Sequence, residues 1–498
     1  MTARHRGQVG HSWGVGVDLY GALPGCWRGR NTTSGTRESR TVPSRLRSTW
    51  HALLTAHPAR LVAIAFGFVI LLGTLLLSLP IAAEDRSATG LIPALFTSTS
   101  AVCVTGLAVV DTGTHWSTFG EGVILALIQV GGFGIMTLAS LLALLVSGKL
   151  RLRMQLTAQA ETKSLGLGDV RRVLLGVAGT TLIVELSVAA LLALRFRFGY
   201  DHAVGQSAYS GFFHAVSAFN NAGFGLHFDS LTGYSSDPWV MLPIAAAVIF
   251  GGLGFPVLLE VLRHRHRRRT TGRRKWSLHT RLTLLVTVLL LAAGSVLTCA
   301  LEWTNGDTLG PMHTGEKLLN GFFHSVMTRT AGFNAIDVGA LQPATLLVTC
   351  VLMFIGGGSA GTAGGIKVTT FAVLGVAILA EVRGEPAAQT MGRRIAPAVL
   401  RQALTVALLG VGLVIAATIV LLTLTDEPFE AVLFETVSAF GTVGLSTGIT
   451  ADIPAFGQVV LILLMFIGRL GPVTLVSALA LRERTRRYEL PEERPVIG

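Results

Sequence analysis

The stretch "MFIGGGSAGTAGGIKVTTF", residues 353–371, starts and ends as an apolar helix would and breaks in its middle. Six glycines lie between Ile355 and Ile366, with Ser359, Ala360, Thr362 and Ala363 among them, and Lys367 follows. Each glycine costs a helix about 1 kcal/mol relative to alanine, so this run cannot hold a regular helix. Non-helical backbone at membrane depth is tolerated only where protein buries it or where it lines water.

The rest of the chain says that membrane depth is the right frame. Of its 498 residues, 51% are hydrophobic and 14% charged, against about 25% charged in a soluble domain. Several apolar runs reach the roughly 20 residues that cross a bilayer. The expected class is an all-α polytopic membrane protein. Cys26, Cys103, Cys299 and Cys350 show neither paired nor metal-type spacing. Residues 1–58 are basic and rich in Gly, Ser and Thr, lack the apolar core of a secretory signal, and read as a disordered tail.

A net charge of +12 could suggest nucleic acid, but its placement argues otherwise. The segments 1–60, 148–172, 263–281, 382–401 and 482–498 hold 33 of the 40 Lys and Arg residues, and they alternate with connections that hold only Arg86, Arg195, Arg197, Lys317 and Arg329 and more Asp and Glu than Lys and Arg. This is positive-inside asymmetry, which puts both termini in the cytoplasm. The block "RHRHRRRTTGRRK" (263–275) sits beside a span end. It reads as a topology signal and a contact for anionic membrane lipid, not as a nucleic-acid site.

Four segments resemble one another: "TSTSAVCVTGL" (97–107), "HAVSAFNNAGF" (214–224), "HSVMTRTAGF" (324–333) and "ETVSAFGTVGL" (435–445). Each ends in a glycine and Leu or Phe, and Gly106, Gly223, Gly332 and Gly444 are 117, 109 and 112 residues apart. The third copy is one residue shorter. First spans are expected near 60–80, 170–195, 280–302 and 398–424, and second spans near 120–147, 239–262, 346–381 and 457–481. The segments between them are too short to cross and too apolar for open loops, which fits re-entrant pore helices.

The expectation is therefore four span–pore loop–span repeats (59–148, 149–263, 264–382, 383–485) between the N-terminal tail and a C-terminal tail at 486–498. Eight transmembrane helices and four pore loops would form a pseudo-fourfold ring around one pore. A loop glycine can adopt backbone angles that turn its neighbours' carbonyls inward, and a ring of carbonyls replaces the hydration shell of an alkali cation. The candidate filter is Val104, Thr105, Gly106, Asn221, Ala222, Gly223, Thr330, Ala331, Gly332, Thr442, Val443 and Gly444. Asp111, Asp229, Asp337 and Asp452 follow the four glycines by five to eight residues. They read either as solvated loop acids or as cation-attracting groups at the mouth.

The second spans repeat as well: "VGGFGI" (130–135), "FGGLGF" (250–255), "IGGGSA" (355–360) and "IGRLGP" (467–472). Arg469 stands where the other copies have Gly132, Gly252 and Gly357. An arginine in mid-span is either a functional group or a structural one bonded to backbone. The third copy continues into the quoted run, just cytoplasmic of Gly332. Gly356, Gly357, Gly358, Ser359, Ala360, Gly361, Thr362, Ala363, Gly364 and Gly365, with Lys367 and Arg469, are the candidate gate.

An enzymatic reading finds little support. "GGGSAG" (356–361) fits a dinucleotide fingerprint, and "GGSAG" (357–361) and "GLSTG" (444–448) fit a nucleophile elbow, but no parallel sheet surrounds them. "GTAGGIK" (361–367) lacks the adjacent Gly-Lys of a P-loop. His214 and His324 head two of the four segments without a carboxylate or cysteine set at ligand spacing, and read as cap or interface residues. Glu185, alone in a first span, reads either as a proton or ion site or as a hydrogen-bonded structural acid.

The four segments, together with "GGGSAGTAGGIK" and "FIGRLGP", resemble the Trk/Ktr/HKT superfamily of potassium transporters over about 60–498, most of all its Ktr-type membrane subunit. "RYELPEERPVIG" at the C-terminus resembles Ktr subunits too, while the basic N-terminal tail departs from the family. The resemblance implies a homodimer with one pore per subunit in the cell membrane. It also implies a cytoplasmic ring of nucleotide-binding RCK subunits as regulator. Carried over by motif, Gly106, Gly223, Gly332 and Gly444 are filter glycines, residues 356–366 the gating loop, and Arg469 the pore arginine. Glycine rather than serine at 106 favours K+ as the transported ion. Na+ remains a second candidate through a reading as an HKT- or Trk-like transporter that conducts Na+ or couples to H+ or Na+.

Overall fold

The structure is a computed structural model and describes residues 58–134, 167–267 and 276–471. The N-terminal tail through residue 57, the ends of the first and fourth second spans, residues 268–275 of the basic block and the C-terminal tail lie outside the described residues.

The described chain is almost wholly helical, and its order of elements recurs. Helices α1 (Pro58–Leu77), α2 (Leu91–Cys103) and α3 (Thr118–Gly134) are followed by α4 (Leu167–Gly199), α5 (Val204–Asn220), α6 (Pro238–Leu253) and α7 (Phe255–Arg267). Next come α8 (Leu278–Glu302), α9 (Thr314–Met327), α10 (Pro343–Phe354) and α11 (Val368–Val382). The last three are α12 (Pro397–Leu422), α13 (Phe429–Gly441) and α14 (Ala455–Leu470). A two-residue-strand hairpin, Gln389–Thr390 against Arg393–Arg394, joins α11 to α12. Met391 and Gly392 both take positive φ at its tip, as a tight hairpin turn requires.

The first helices α1, α4, α8 and α12 fall within a few residues of the expected first spans. Among the described residues, Leu174–Gly199 of α4, α8 and α12 are each long and apolar enough to cross a membrane, and only 28% of each one's most apolar window is buried. Ile183, Val288 and Leu408 point outward. Apolar faces of this length suit hydrocarbon.

Unbroken second spans are not what forms. The expected span 239–262 is two helices, α6 and α7, bent by 100°. The bend falls at Gly254, whose φ of 90° favours glycine. The expected span 346–381 is α10 and α11 with the glycine run between them. Eight crossings are thus not eight continuous helices: three, or four with the bent pair, meet the length and hydropathy of a span among the described residues.

Acidic side chains tie first to second helices. Asp237, capping α6, accepts from Trp239 N (2.9 Å), from Arg195 Nε of α4 (2.7 Å) and from the OH of Tyr200 just after α4 (3.0 Å). Buried Glu302 at the end of α8 accepts from Gln342 N (3.0 Å) at the start of α10 and from Thr308 Oγ1 (2.7 Å) in the loop that follows α8. A carboxylate at a helix N-terminus satisfies orphan N–H groups and complements the dipole.

The short helices α2, α5, α9 and α13 are the most buried elements. One apolar core gathers Phe96, Leu421, Phe434 and Phe440, and another gathers Phe196, Phe219, Phe323 and Phe333. These helices start well before the sequence segments did. His214 and His324 therefore lie inside α5 and α9, not at their heads. They are interface residues and not caps. His214 Nδ1 faces Ser210 O at 2.8 Å and its ring stacks on His227, and His324 Nε2 meets Thr349 Oγ1 at 3.1 Å.

Candidate functional site

Each short helix ends in a turn that reverses the backbone hand. Val104, Asn221, Thr330 and Thr442 have φ of 55°, 60°, 71° and 50°, and two residues later Gly106, Gly223, Gly332 and Gly444 have φ of 95°, 72°, 72° and 94°. Asparagine tolerates the left-handed region, but valine and threonine do not, so three of these turns carry strain that packing must hold. In three copies the residue before the glycine bonds back to a serine carbonyl: Thr105 N to Ser100 O (2.8 Å), Ala222 N to Ser217 O (2.7 Å) and Val443 N to Ser438 O (2.9 Å). In the third, α9 ends at Met327 and Ala331 N bonds to Met327 O (3.1 Å). That bond closes over four residues where the other three close over five, which accommodates the residue missing from this copy.

The four turns close on one another. A Cβ built on Gly106 would lie 3.1 Å from Gly223 Cα, one on Gly223 3.0 Å from Gly332 Cα, one on Gly332 3.0 Å from Gly444 Cα, and one on Gly444 3.0 Å from Gly106 Cα. The same Cβ atoms would press on the carbonyl oxygens of Ala222, Ala331, Val443 and Thr105. The segments, more than a hundred residues apart in sequence, thus form a cyclic cluster in which each glycine faces a neighbour's backbone.

Buried polar groups brace this cluster from behind. Gly106 N donates to Ser100 Oγ (3.0 Å) and Gly444 N to Ser438 Oγ (3.1 Å). Glu435, fully buried in α13, accepts from Thr447 N (3.2 Å), Thr450 Oγ1 (3.1 Å) and Ser446 Oγ. Asn220 Nδ2 donates to Gln129 Oε1 (2.8 Å) and Glu185 Oε1 (3.0 Å), and Gln129 Nε2 to Glu185 Oε2 (3.3 Å). Glu185 is 3% exposed and hydrogen-bonded on both oxygens, which favours the structural of its two readings.

The glycine run lies against the same cluster. Ile355 and Ile366 pair in a parallel bridge that closes its base. Gly358 N donates to Gly252 O (2.7 Å), Thr362 N to Gly251 O (3.2 Å) and Phe255 N to Ala360 O (3.3 Å), so the loop sits in the bend between α6 and α7. Thr362 Oγ1 pairs with the Asn221 amide at 2.8 Å. Gly356 borders Thr330, and Gly364 borders Thr442. Three of the four left-handed residues are therefore in reach of the loop. Lys367 Nζ donates back to Gly364 O (3.5 Å) and to Ala363 O. Arg469, 5% exposed, donates through Nη1 to Thr362 O and through Nη2 to Gly131 O (3.3 Å).

The acids of the outer loops are mostly engaged locally. Asp111 accepts from Thr114 N (2.8 Å), Asp337 from Gly339 N (2.9 Å) and Asp229 from Thr232 Oγ1, and Asp229, Asp337 and Asp452 are exposed. The bonds of Asp111, Asp229 and Asp337 close local turns. Arg329, charged and within the third turn, is only 7% exposed. A charged residue three positions before a membrane-embedded glycine was the available signal for it. Glu435 was visible only as the first letter of its segment.

The sequence profile of the TrkH family, described as cation transport proteins, matches residues 44–485. The "Ktr system potassium uptake protein B" of Bacillus subtilis is 41% identical over 433 residues, covering 86% of this chain and 95% of that protein. The "Potassium/sodium uptake protein NtpJ" of Enterococcus hirae is 36% identical over 449 residues, covering 89% and 97%. The crystal structure of the potassium transporter TrkH from Vibrio parahaemolyticus superposes with a TM-score of 0.62 at 19% identity, covering 84% of this chain and 85% of that one.

Proposed function

The chain belongs to the TrkH family of cation transport proteins, and on that premise we propose that it is the ion-translocating membrane subunit of a potassium uptake system. The family is one of transporters and not of enzymes. The observation that carries the reading is the cyclic closure of Gly106, Gly223, Gly332 and Gly444. Four span–pore loop–span units surround one pore, and Thr105, Ala222, Ala331 and Val443 supply carbonyls that take the place of water around K+. Val104, Asn221, Thr330 and Thr442 continue the filter on the cytoplasmic side.

Residues 356–366 act as the gate below that filter. Their contacts with Asn221, Thr330 and Thr442 support this, as does the Arg469–Thr362 bond. Closed, the loop blocks the path and Lys367 and Arg469 repel cations. Displaced, it opens the path to the cytoplasm. The working assembly is a homodimer in the cell membrane with cytoplasmic termini, resting on a ring of nucleotide-binding RCK subunits. The Ktr-named relative supports that partner.

Cation flux into proteoliposomes at fixed membrane potential tests the reading. K+ and Rb+ should enter well ahead of Na+. Equal or Na+-dominated flux would replace it with an HKT- or Trk-like Na+ pathway. The relative named for both ions favours that second reading enough to keep it in the experiment.

A further inference from the structure

We propose that the cavity beside Arg329 is a binding site for a small monovalent anion of halide size. Arg329 precedes Thr330 in the third turn, and its side chain lines a pocket with residues of α6 and α8. Its Nη1 and Nη2 are buried and have no hydrogen-bond acceptor among the described residues. Other arginines among the described residues are provided for. Arg469 reaches two carbonyls, and Arg195 reaches the carboxylate of Asp237. A guanidinium stays protonated in proteins, so Arg329 cannot relieve its burial by losing a proton. Burying a charge is costly unless it is paired.

What Arg329 faces is a cavity of about 20 Å³ between α6, α8, α9 and the glycine loop, with Gly252, Thr287, Val326 and Gly357 in its wall. No carboxylate lines it. The wall offers a forked cationic donor and a hydroxyl on an otherwise apolar surface, which is the chemistry of an anion site and not of a cation site. By volume it holds one or two water-sized occupants. That is the scale of a chloride or bromide ion.

The position gives such an anion a consequence. A fixed positive charge behind the filter opposes cation entry, and an anion on Arg329 cancels it. Loss of the anion should therefore weaken the apparent affinity for K+ by about tenfold, the scale of one nearby charge at protein-surface screening. Binding stands independently of the transport reading, whereas this consequence rests on it.

The experiment is anomalous diffraction from crystals of the whole protein grown in bromide, paired with Rb+ uptake in chloride, bromide or gluconate on both sides. A bromide peak within hydrogen-bonding reach of the Arg329 Nη atoms, absent in Arg329→Gln, is expected. Uptake should need about tenfold more Rb+ for half-saturation in gluconate. If Arg329→Gln does not assemble, Thr287→Val should lower bromide occupancy while keeping the charge. No peak in the cavity, with Arg329 bonded to protein or water alone, overturns the site. A peak with anion-independent uptake overturns the coupling to transport, and Na+-dominated flux would count against the transport reading without touching the bromide result.

Discussion

Arg469 Nη1 donates to the carbonyl of Thr362, joining the end of α14 to the middle of the glycine run. Its other Nη bonds Gly131 O at 3.3 Å, so one buried side chain links the fourth unit, the loop of the third and the second helix of the first. A hydrogen bond to a charged group is worth about 1.5–3 kcal/mol. These bonds hold the loop in the position seen here.

Arg469→Ala should accordingly raise unstimulated Rb+ uptake, by about tenfold or more if one such bond governs closure. Arg469→Lys keeps the charge but not the fork, and should fall between. Uptake in Arg469→Ala at or below the wild-type rate would reject a role in closure.

Deleting residues 358–363 leaves Ile355 and Ile366, which already pair, to close a short connection. The shortened protein should conduct faster than wild type at the same density in the membrane. Unchanged flux would sink the gate assignment.

Gly106→Ser places a side chain at φ 95° and drives its Cβ toward the Ala222 backbone. The strain is on the order of 1–3 kcal/mol, and the cluster must open to relieve it. Selectivity for K+ over Na+ should drop by roughly tenfold. Competition between Rb+ and Na+ in proteoliposomes measures this, and intact discrimination would remove Gly106 from the filter.

Glu435→Ala would leave the half-buried Thr447 N–H without its acceptor and would free Ser446 and Thr450. Orphaning one such donor costs about 1–3 kcal/mol, so the melting temperature should fall and cation discrimination with it. Glu435→Gln, which keeps one acceptor oxygen, should recover part of both. Selectivity unaffected by Glu435→Ala would mean that the clamp is purely structural.

Burial holds the His227 ring below its ordinary range, with Asp229 opposing and His202 assisting. The folded protein therefore stays neutral there at a pH where the unfolded chain takes up a proton. This contribution to stability is complete above about pH 6.5 and is lost as pH falls through the lower folded value. Thermal melts between pH 7.5 and 4.5 should steepen below pH 6.5, and His227→Gln should flatten that slope. An identical slope in the variant would assign the acid sensitivity elsewhere.

Much of this architecture is written locally. Apolar runs of spanning length, glycines at four matched turns and a run that no helix can accommodate each follow from the properties of a few adjacent residues. First helices could be located within a few residues for that reason, and so could the residues that meet at the glycine cluster and loop. The starts of α2, α5 and α13 are not legible in the sequence because they carry no strong cap: Gly90, Ala203 and Pro428 precede them without a side-chain bond.

Tertiary structure decided the rest, because it concerns which distant groups meet. Thr362 and Arg469 are 107 residues apart, and Gly131 and Arg469 are 338 apart. Composition alone could not say whether Arg469 would find carbonyls, whether Glu185 would be bonded on both oxygens, or whether Arg329 would be buried without an acceptor. The 100° bend at Gly254 depends likewise on the loop that fills it. Local chemistry chose the turns and the spans, and packing chose their partners and left one guanidinium facing a cavity.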